Sequence, residues 1–157
     1  MIPKKPTVQN EKESLTKIVK EIIASHLKAI NSKNLQVVFN NPEIKNDLVP
    51  YYYSHLILDN IVLNSIKYSK TNSQITIILS RNEKGLVCEI KDEGIGIHKD
   101  DIDKLFNPFF RSDALNHRDI FGNGLGLSIA KKAADAINAK LFVESELGVG
   151  TAVTIAF

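Results

Sequence analysis

The sequence predicts a two-layer α+β sandwich, in which about three helices cover one face of a mixed, largely antiparallel sheet of about five strands. Two observations carry this prediction. Several segments space their apolar residues as one face of a helix does, and short β-branched segments occur in pairs between turn residues. With 157 residues, the chain is long enough for one domain that buries about 70% of its unfolded surface.

Each predicted element has its own local signal, such as Pro50, which suits the first turn of a helix, or "RNEKG", which separates two strands. The predicted helices cover 14–30, 50–69, 99–105 and 124–137. The predicted strands cover 35–39, 73–80, 85–92, 140–145 and 151–156. Residues 107–121 lack clear periodicity and predict a mobile loop. Residues 1–13 are polar, contain two prolines and predict a flexible tail or linker ahead of one domain over 14–157.

Composition excludes several classes of function. The 20 basic and 18 acidic side chains leave a net charge of +2 without a long run of either sign, so neither nucleic acid nor an anionic membrane is indicated as a partner. The single cysteine, Cys88, excludes an intrachain disulfide, and no apolar run approaches the roughly 18 residues of a membrane span. We therefore expect a cytoplasmic domain, and any membrane anchor of a longer protein would lie outside this segment.

Two carboxamides lie one helical turn apart in the largely apolar segment "LDNIVLNSIKYS", residues 58–69. Asn60 and Asn64 share a helix face, and Lys67 and Tyr68 follow a turn later. An Asn inside a helix costs roughly 0.5 kcal/mol relative to Ala. A buried amide without a partner costs roughly 1–3 kcal/mol more. The pattern therefore raises the question of what these amides bind.

A carboxylate ends the predicted strand "LVCEIKD". Side chains alternate along a strand, so Asp92 faces the same side as Leu86, Cys88 and Ile90. Burial of an unpaired carboxylate is very costly, so Asp92 needs a donor. Two interpretations stay open: Asp92 starts a turn, or it accepts a hydrogen bond from a ligand. The glycines of "EGIGI", at positions 94 and 96, would let a flat ligand approach the backbone.

A second glycine set, "GNGLGLSIAKK", precedes a predicted amphipathic helix. Glycines that open a helix expose backbone N–H groups, which suit phosphate, although a helix-entry turn explains the pattern equally well. The set matches neither a GxxxxGK[ST] phosphate-binding loop nor a dinucleotide fingerprint within a parallel strand–helix–strand unit.

Two further segments have ordinary explanations of their own. "ELGVGTAVTI" is typical of a connection between strands, and the phenylalanines of "FNPFFR" are typical of core residues. Arg111, just beyond those phenylalanines, could instead reach a phosphate.

Taken together and in this order, the motifs resemble the catalytic ATP-binding domain of sensor histidine kinases, within the superfamily that contains the gyrase, Hsp90 and MutL ATPases. "DNIVLNSIKYS" resembles the N box, "DEGIGI" the first glycine box, "FNPFFR" the F box and "GNGLGLSIAKK" the second glycine box. "GVGTAVTI" resembles the final glycine-threonine turn. The resemblance covers about residues 14–157 and implies the Bergerat-type ATP-binding fold.

The resemblance implies a Mg-ATP site whose contact residues are Asn60, Asn64, Lys67, Tyr68, Asp92, Gly94, Gly96, Ile97, Leu105, Phe106, Gly122, Gly124, Leu125, Gly126 and Thr151. It implies that Asn64 coordinates Mg²⁺, that Asp92 accepts the adenine amino proton, and that Thr151 assists through water. It further implies that Asn60, Lys67 and Arg111 support phosphoryl transfer, and that residues 107–123 form a lid over the phosphates.

One position separates the subfamilies. The ATPase relatives and the serine-directed kinases of anti-sigma type carry a glutamate four residues before the magnesium asparagine, where this chain has Asn60. Asn cannot take a proton, whereas a neutral imidazole needs little help as an acceptor. The resemblance therefore favours a protein-histidine kinase over hydrolysis or serine phosphorylation. A stand-alone serine kinase and a nucleotide-binding module without chemistry remain the alternatives.

The chain departs from the family pattern in two places. Asn138 and Ala139 replace the usual Gly pair after the last helix, and Asn tolerates the left-handed conformation expected there. None of the four histidines fits a phosphoacceptor. The resemblance therefore implies a separate dimerisation and phosphoacceptor domain, a downstream response regulator, and a monomeric segment with little autophosphorylation on its own.

Overall fold

The computed structural model describes residues 11–107 and 126–157 of the chain. Its helices are α1 Leu15–Ser25, α2 Leu27–Ser32, α3 Tyr51–Tyr68 and α4 Gly126–Ala136, with a 3₁₀ helix over Lys99–Lys104. Its strands are β1 Lys12–Ser14, β2 Gln36–Asn40, β3 Leu48–Pro50, β4 Gln74–Asn82, β5 Gly85–Asp92, β6 Lys140–Glu146 and β7 Gly150–Ala156. The loop predicted over 107–121 and the predicted start of the last helix at 124 lie almost entirely outside the described residues.

Five strands form one mixed sheet in the order β2-β4-β5-β7-β6. The β2–β4 pair is parallel, and the other three pairs are antiparallel. A row of apolar residues crosses the sheet, since Ile77 pairs with Ile90, Ile90 with Val153, and Val153 with Val143. Alternate residues of β4 and β5 are buried, as expected when one face of a sheet is covered and the other meets water. The predicted sandwich with about five strands is confirmed.

The helices supply the second layer. Ile18 and Ile22 of α1 and Ile57 and Ile61 of α3 are at most 1% exposed and join the residues of the covered sheet face in one core cluster. Small residues of α4, with Ala130 among them, complete the cluster. Among the described residues, no helix is both long and apolar enough to cross a membrane.

The first predicted helix, over 14–30, is divided into α1 and α2 at His26. Ser25 Oγ donates to the Ile22 carbonyl, and His26 Nε2 forms a 2.7 Å hydrogen bond with Asp59 Oδ1 of α3. The side chain of His26 thus holds the break against α3. Such a tertiary contact has no signature in the helical spacing, so the sequence predicts one helix where the structure has two.

A small two-stranded sheet also departs from the prediction. β1 pairs with β3 in antiparallel fashion, so Lys12 and Glu13 belong to a strand rather than to a flexible tail. Asp47, just before β3, accepts hydrogen bonds from Ser14 Oγ at 2.8 Å and from Thr16 N at 3.0 Å. These bonds hold the start of α1, and they lower the pKa of Asp47 against the opposing effect of its burial.

The turn after α4 follows the sequence prediction. Asn138 adopts a φ of 56°, the left-handed conformation that Asn tolerates. Ala139 N donates to the Ala134 carbonyl at 2.9 Å and closes the end of the helix. The chain therefore turns into β6 without the usual Gly pair.

Candidate functional site

Polar side chains of α3 lie along the half of the helix that approaches the end of β5. Asn60, Asn64 and Lys67 are half-buried, whereas Ile61 and Ser65 are buried against the sheet. Asn60 Nδ2 donates to the Leu56 carbonyl at 2.7 Å, so its amide oxygen keeps its capacity to accept.

The Asn64 amide makes no hydrogen bond to any residue that the structure describes. An unengaged, half-buried amide oxygen is a hard and neutral donor, and such oxygens suit Mg²⁺, which also keeps several waters. A cluster of three or more His, Cys, Asp or Glu side chains able to hold a metal is not found within residues 11–107 and 126–157. The chemistry of the Asn64 amide oxygen is therefore compatible with a role as a Mg²⁺ ligand.

Asp92 is the buried carboxylate of the site, with 8% of its surface exposed. Its Oδ1 accepts from Gly94 N at 2.9 Å and from Thr151 N at 3.1 Å. The buried Ser65 hydroxyl also acts on this carboxylate and lowers its pKa. Burial raises the pKa of Asp92, and the interactions with Gly94 N, Thr151 N and the Ser65 side chain offset only part of that effect. The predicted face of Asp92 is confirmed, because β5 buries every second residue from Leu86 to Asp92.

Two glycines allow three segments of backbone to meet beside Asp92. A Cβ atom on Gly94 would lie 2.5 Å from the Tyr68 carbonyl oxygen at the end of α3, and Gly94 forms an isolated β-bridge with Ser69. Gly96 has a φ of +71°, and a Cβ atom there would collide with the Glu146 carbonyl group. The space that a side chain would occupy is thus filled by backbone of the protein itself.

Thr151 joins the final strand to the same carboxylate through its backbone N–H. Its hydroxyl lies 2.7 Å from Ser145 Oγ, which also donates to the Gly150 carbonyl at 2.9 Å and accepts from Ile97 N at 2.8 Å. Ser145 is not among the residues that the sequence motifs indicate. Its signal is positional: Ser145 pairs with Thr151 on the β6–β7 hairpin, and its side chain shares the inward face.

Two apolar residues follow the glycine loop. Ile97 is 8% exposed and Leu105 is 4% exposed, yet neither belongs to the main core cluster between helices and sheet. Both residues are therefore buried outside the main core, on the chain segment that follows the loop beginning at Asp92. Phe106 is half-buried, and Gly126 is the first residue of α4. Arg111, Gly122, Gly124 and Leu125 lie outside the described residues.

The structure thus brings three of the sequence motifs together at Asp92. The end of α3 contributes Ser65 and Tyr68, the loop after β5 contributes Gly94, and the start of β7 contributes Thr151. The adjacent acid, Glu93, points away: its Oε1 accepts from Gln74 N at 2.8 Å on an exposed edge. An open polar groove at that edge includes Glu93 but none of the predicted contact residues, so we do not assign the site to it.

Comparison with known sequences identifies similar proteins. The sequence model of the family described as histidine kinase-, DNA gyrase B- and HSP90-like ATPase matches residues 54–157. The sensor histidine kinase WalK of Bacillus subtilis is 41% identical over 100 residues, which cover 62% of this chain and 16% of WalK. The sensor protein kinase WalK of Staphylococcus haemolyticus is 29% identical over 157 residues, covering 94% of this chain and 26% of its own length. The chain therefore spans about a quarter of these relatives or less.

Solved structures show the same fold. The catalytic domain of histidine kinase ThkA superposes with a TM-score of 0.76 at 21% identity, covering 92% of both chains. Full-length ShkA in complex with AMPPNP superposes with a TM-score of 0.77 at 20% identity, covering 92% of this chain and 30% of ShkA. The fold described above is therefore that of histidine kinase catalytic domains.

Proposed function

The chain belongs to the family of histidine kinase-, DNA gyrase B- and HSP90-like ATPases, and we propose that it binds ATP with Mg²⁺ and provides the γ-phosphoryl group for a histidine on a separate dimerisation and phosphoacceptor domain. The observation that carries the proposal is the buried carboxylate of Asp92, which α3, the glycine loop and β7 hold in common. The similarity to sensor kinases supports a role in two-component signalling with a response regulator downstream.

The adenine base of the nucleotide is assigned to Asp92. A carboxylate has about four acceptor positions, and two of them, both on Oδ1, are used by Gly94 N and Thr151 N. The remaining capacity suits the amino group of adenine, with Thr151 assisting through water. Ile97 and Leu105 provide apolar walls for the ring. The AMPPNP complex of ShkA supports the choice of an adenine nucleotide as ligand.

The phosphates are assigned to the polar side of α3 and to the start of α4. Asn64 would hold Mg²⁺, with Asn60 in support. The ion, when bound, neutralises charge on the phosphate oxygens. Lys67 is half-buried at the end of α3 and supplies a positive charge for the same oxygens. The first N–H groups of α4, which begins at Gly126, favour an anion in the same way.

The acceptor is assigned to histidine because Asn60 replaces the glutamate that the ATPases and serine-directed kinases of the superfamily carry. The Asn60 amide nitrogen is engaged with the Leu56 carbonyl, and an amide oxygen does not take up a proton near neutral pH. An acceptor that needs no general base is therefore favoured, and the neutral imidazole of histidine is one.

A phosphotransfer assay tests the proposal. The chain is incubated with radiolabelled Mg-ATP and a separate helical acceptor domain that carries a phosphoacceptor histidine. Acid-labile phosphate on the acceptor, absent with Asp92→Asn and retained with Glu93→Gln, supports the proposal. Acid-stable label on serine, or release of inorganic phosphate without transfer, contradicts the assignment to histidine. Nucleotide binding with neither transfer nor hydrolysis indicates a binding module without chemistry.

A further inference from the structure

The last turn of α3 ends in backbone carbonyls that the helix itself cannot pair. An α-helix leaves its last four carbonyl groups without intrahelical partners, and burial of such a group without a hydrogen bond is costly. In α3, which ends at Tyr68, Ser69 provides the local solution for Ser65: both its N–H and its hydroxyl donate to the Ser65 carbonyl, at 3.0 and 2.5 Å. The other three carbonyls depend on residues distant in the chain.

Lys33 supplies two of the missing donors. Its Nζ donates to the Ile66 carbonyl at 2.7 Å and to the Lys67 carbonyl at 2.8 Å. Ile95 N, in the glycine loop, donates to the Tyr68 carbonyl at 3.2 Å and completes the set. The final turn of the helix is therefore held by one lysine side chain and one backbone amide from elsewhere in the fold.

The position of Lys33 is itself fixed by neighbouring contacts. Lys33 caps α2, and its carbonyl accepts from Asn72 N at 3.0 Å. Asn34 Nδ2 donates to Asn72 Oδ1 at 2.7 Å, so the turns that follow α2 and α3 are linked. Partial burial lowers the pKa of Lys33. An ammonium group at a helix C-terminus also interacts favourably with the negative end of the helix dipole.

We propose that Lys33 is a positioning residue for nucleotide binding: it fixes the last turn of α3, and so directs Lys67 and Tyr68 toward the phosphates and the nucleotide. This inference rests on the proposed function. The direction of the Lys67 side chain depends on the backbone of that turn, and helix ends without partners fray. On the base side of the site, Asp92 and Thr151 lie on strands of the sheet, and the hydrogen bond from Thr151 N to Asp92 Oδ1 does not involve the last turn of α3.

Calorimetric titration with Mg-ADP and with adenosine separates the two sides of the site. For Lys33→Met, which keeps the length of the side chain and removes its donors, we expect affinity for Mg-ADP to fall about tenfold and affinity for adenosine to change less than about twofold. Lys33→Arg restores part of the loss because it keeps the charge and the donors. Lys28→Met is the matched control, because Lys28 is an exposed lysine of α2 without a hydrogen bond or ion pair among the described residues.

Hydrogen exchange provides a readout that needs no ligand. The amides of Ser69 and Ile95 donate to carbonyls of the last turn, so both should exchange faster in Lys33→Met than in Lys28→Met. Unchanged exchange, or wild-type affinity for Mg-ADP, overturns the role of Lys33 while the proposed function stands. Equal losses for both ligands also overturn it, because they indicate general destabilisation. Absence of Mg-ADP binding by the wild-type chain overturns the proposed function and this inference together.

Discussion

Replacement of Asp92 by Asn tests the assignment of adenine to Asp92 with little change in the shape of the side chain. The amide oxygen of Asn can still accept from Gly94 N and Thr151 N, which lie 2.9 and 3.1 Å from Asp92 Oδ1. The second oxygen becomes an NH₂ group, which would face the amino group of adenine as donor against donor. We therefore expect Asp92→Asn to fold and to lose adenine binding.

The size of the loss follows from the type of hydrogen bond that is removed. A hydrogen bond to a charged group contributes about 1.5–3 kcal/mol, which corresponds to a loss of affinity of about 10- to 150-fold. Asp92 is only 8% exposed, so water does not readily replace the missing acceptor, and the upper half of the range is expected.

Calorimetry with adenosine and with Mg-ADP measures this loss, and thermal unfolding shows whether the variant is folded. Glu93→Gln is the matched control, since it removes the next carboxylate in the chain, whose partner is Gln74 N on the exposed edge. A loss of less than about threefold in folded Asp92→Asn, or an equal loss in Glu93→Gln, would refute the assignment of adenine to Asp92.

Three further predictions concern the stability of the nucleotide-free chain. Burial raises the pKa of Asp92 above its ordinary value of 3.8, so the carboxyl group stabilises the fold at low pH and loses this contribution as pH rises through its raised pKa. Denaturation at a series of pH values should therefore show the free energy of unfolding of Asp92→Asn increasing relative to that of the wild type as pH rises above 3.8. Ser54→Ala should raise the free energy of unfolding by about 1 kcal/mol, because the buried hydroxyl has no hydrogen-bond partner among the described residues; a loss in urea denaturation would contradict this. Gly148→Ala should lower the free energy of unfolding by about 1–2 kcal/mol, because Gly148 has a φ of +83°, although the added Cβ atom would meet no other atom within 4 Å. Gly96→Ala should cost at least about 1 kcal/mol more, because it also meets the Glu146 carbonyl, and equal costs in the same assay would refute the clash.

The sequence predicts the fold well where a local pattern is repeated. The alternation of β5 identifies the inward face of Asp92 before any contact is known, because a sheet covered on one side buries every second residue. Tolerance of Asn for the left-handed conformation likewise predicts the turn at Asn138. In both cases the cause lies within a few residues of the effect.

Contacts between residues that are far apart in the sequence are not predicted by such local patterns. His26 meets Asp59 across 33 positions, at the point where the helix that the spacing predicts as one is divided into two. Lys33 meets the end of α3 at a similar separation, and the pairing of β1 with β3 involves only three residues on each strand. A contact with a partner far along the chain leaves no periodic signal in the sequence, so these features are seen only in the folded structure.

In the proposed function, one site holds both the adenine base, at Asp92, and the magnesium-bound phosphates, at Asn64. The dependence of ADP affinity on Mg²⁺ concentration, measured by calorimetry for the wild type and Asn64→Ala, tests this claim most directly. We predict that Mg²⁺ strengthens ADP binding to the wild type, and that Asn64→Ala loses this dependence while it binds adenosine as the wild type does. If Asn64→Ala keeps the full Mg²⁺ dependence, or loses adenosine binding as well, the assignment of the ion to Asn64 is contradicted.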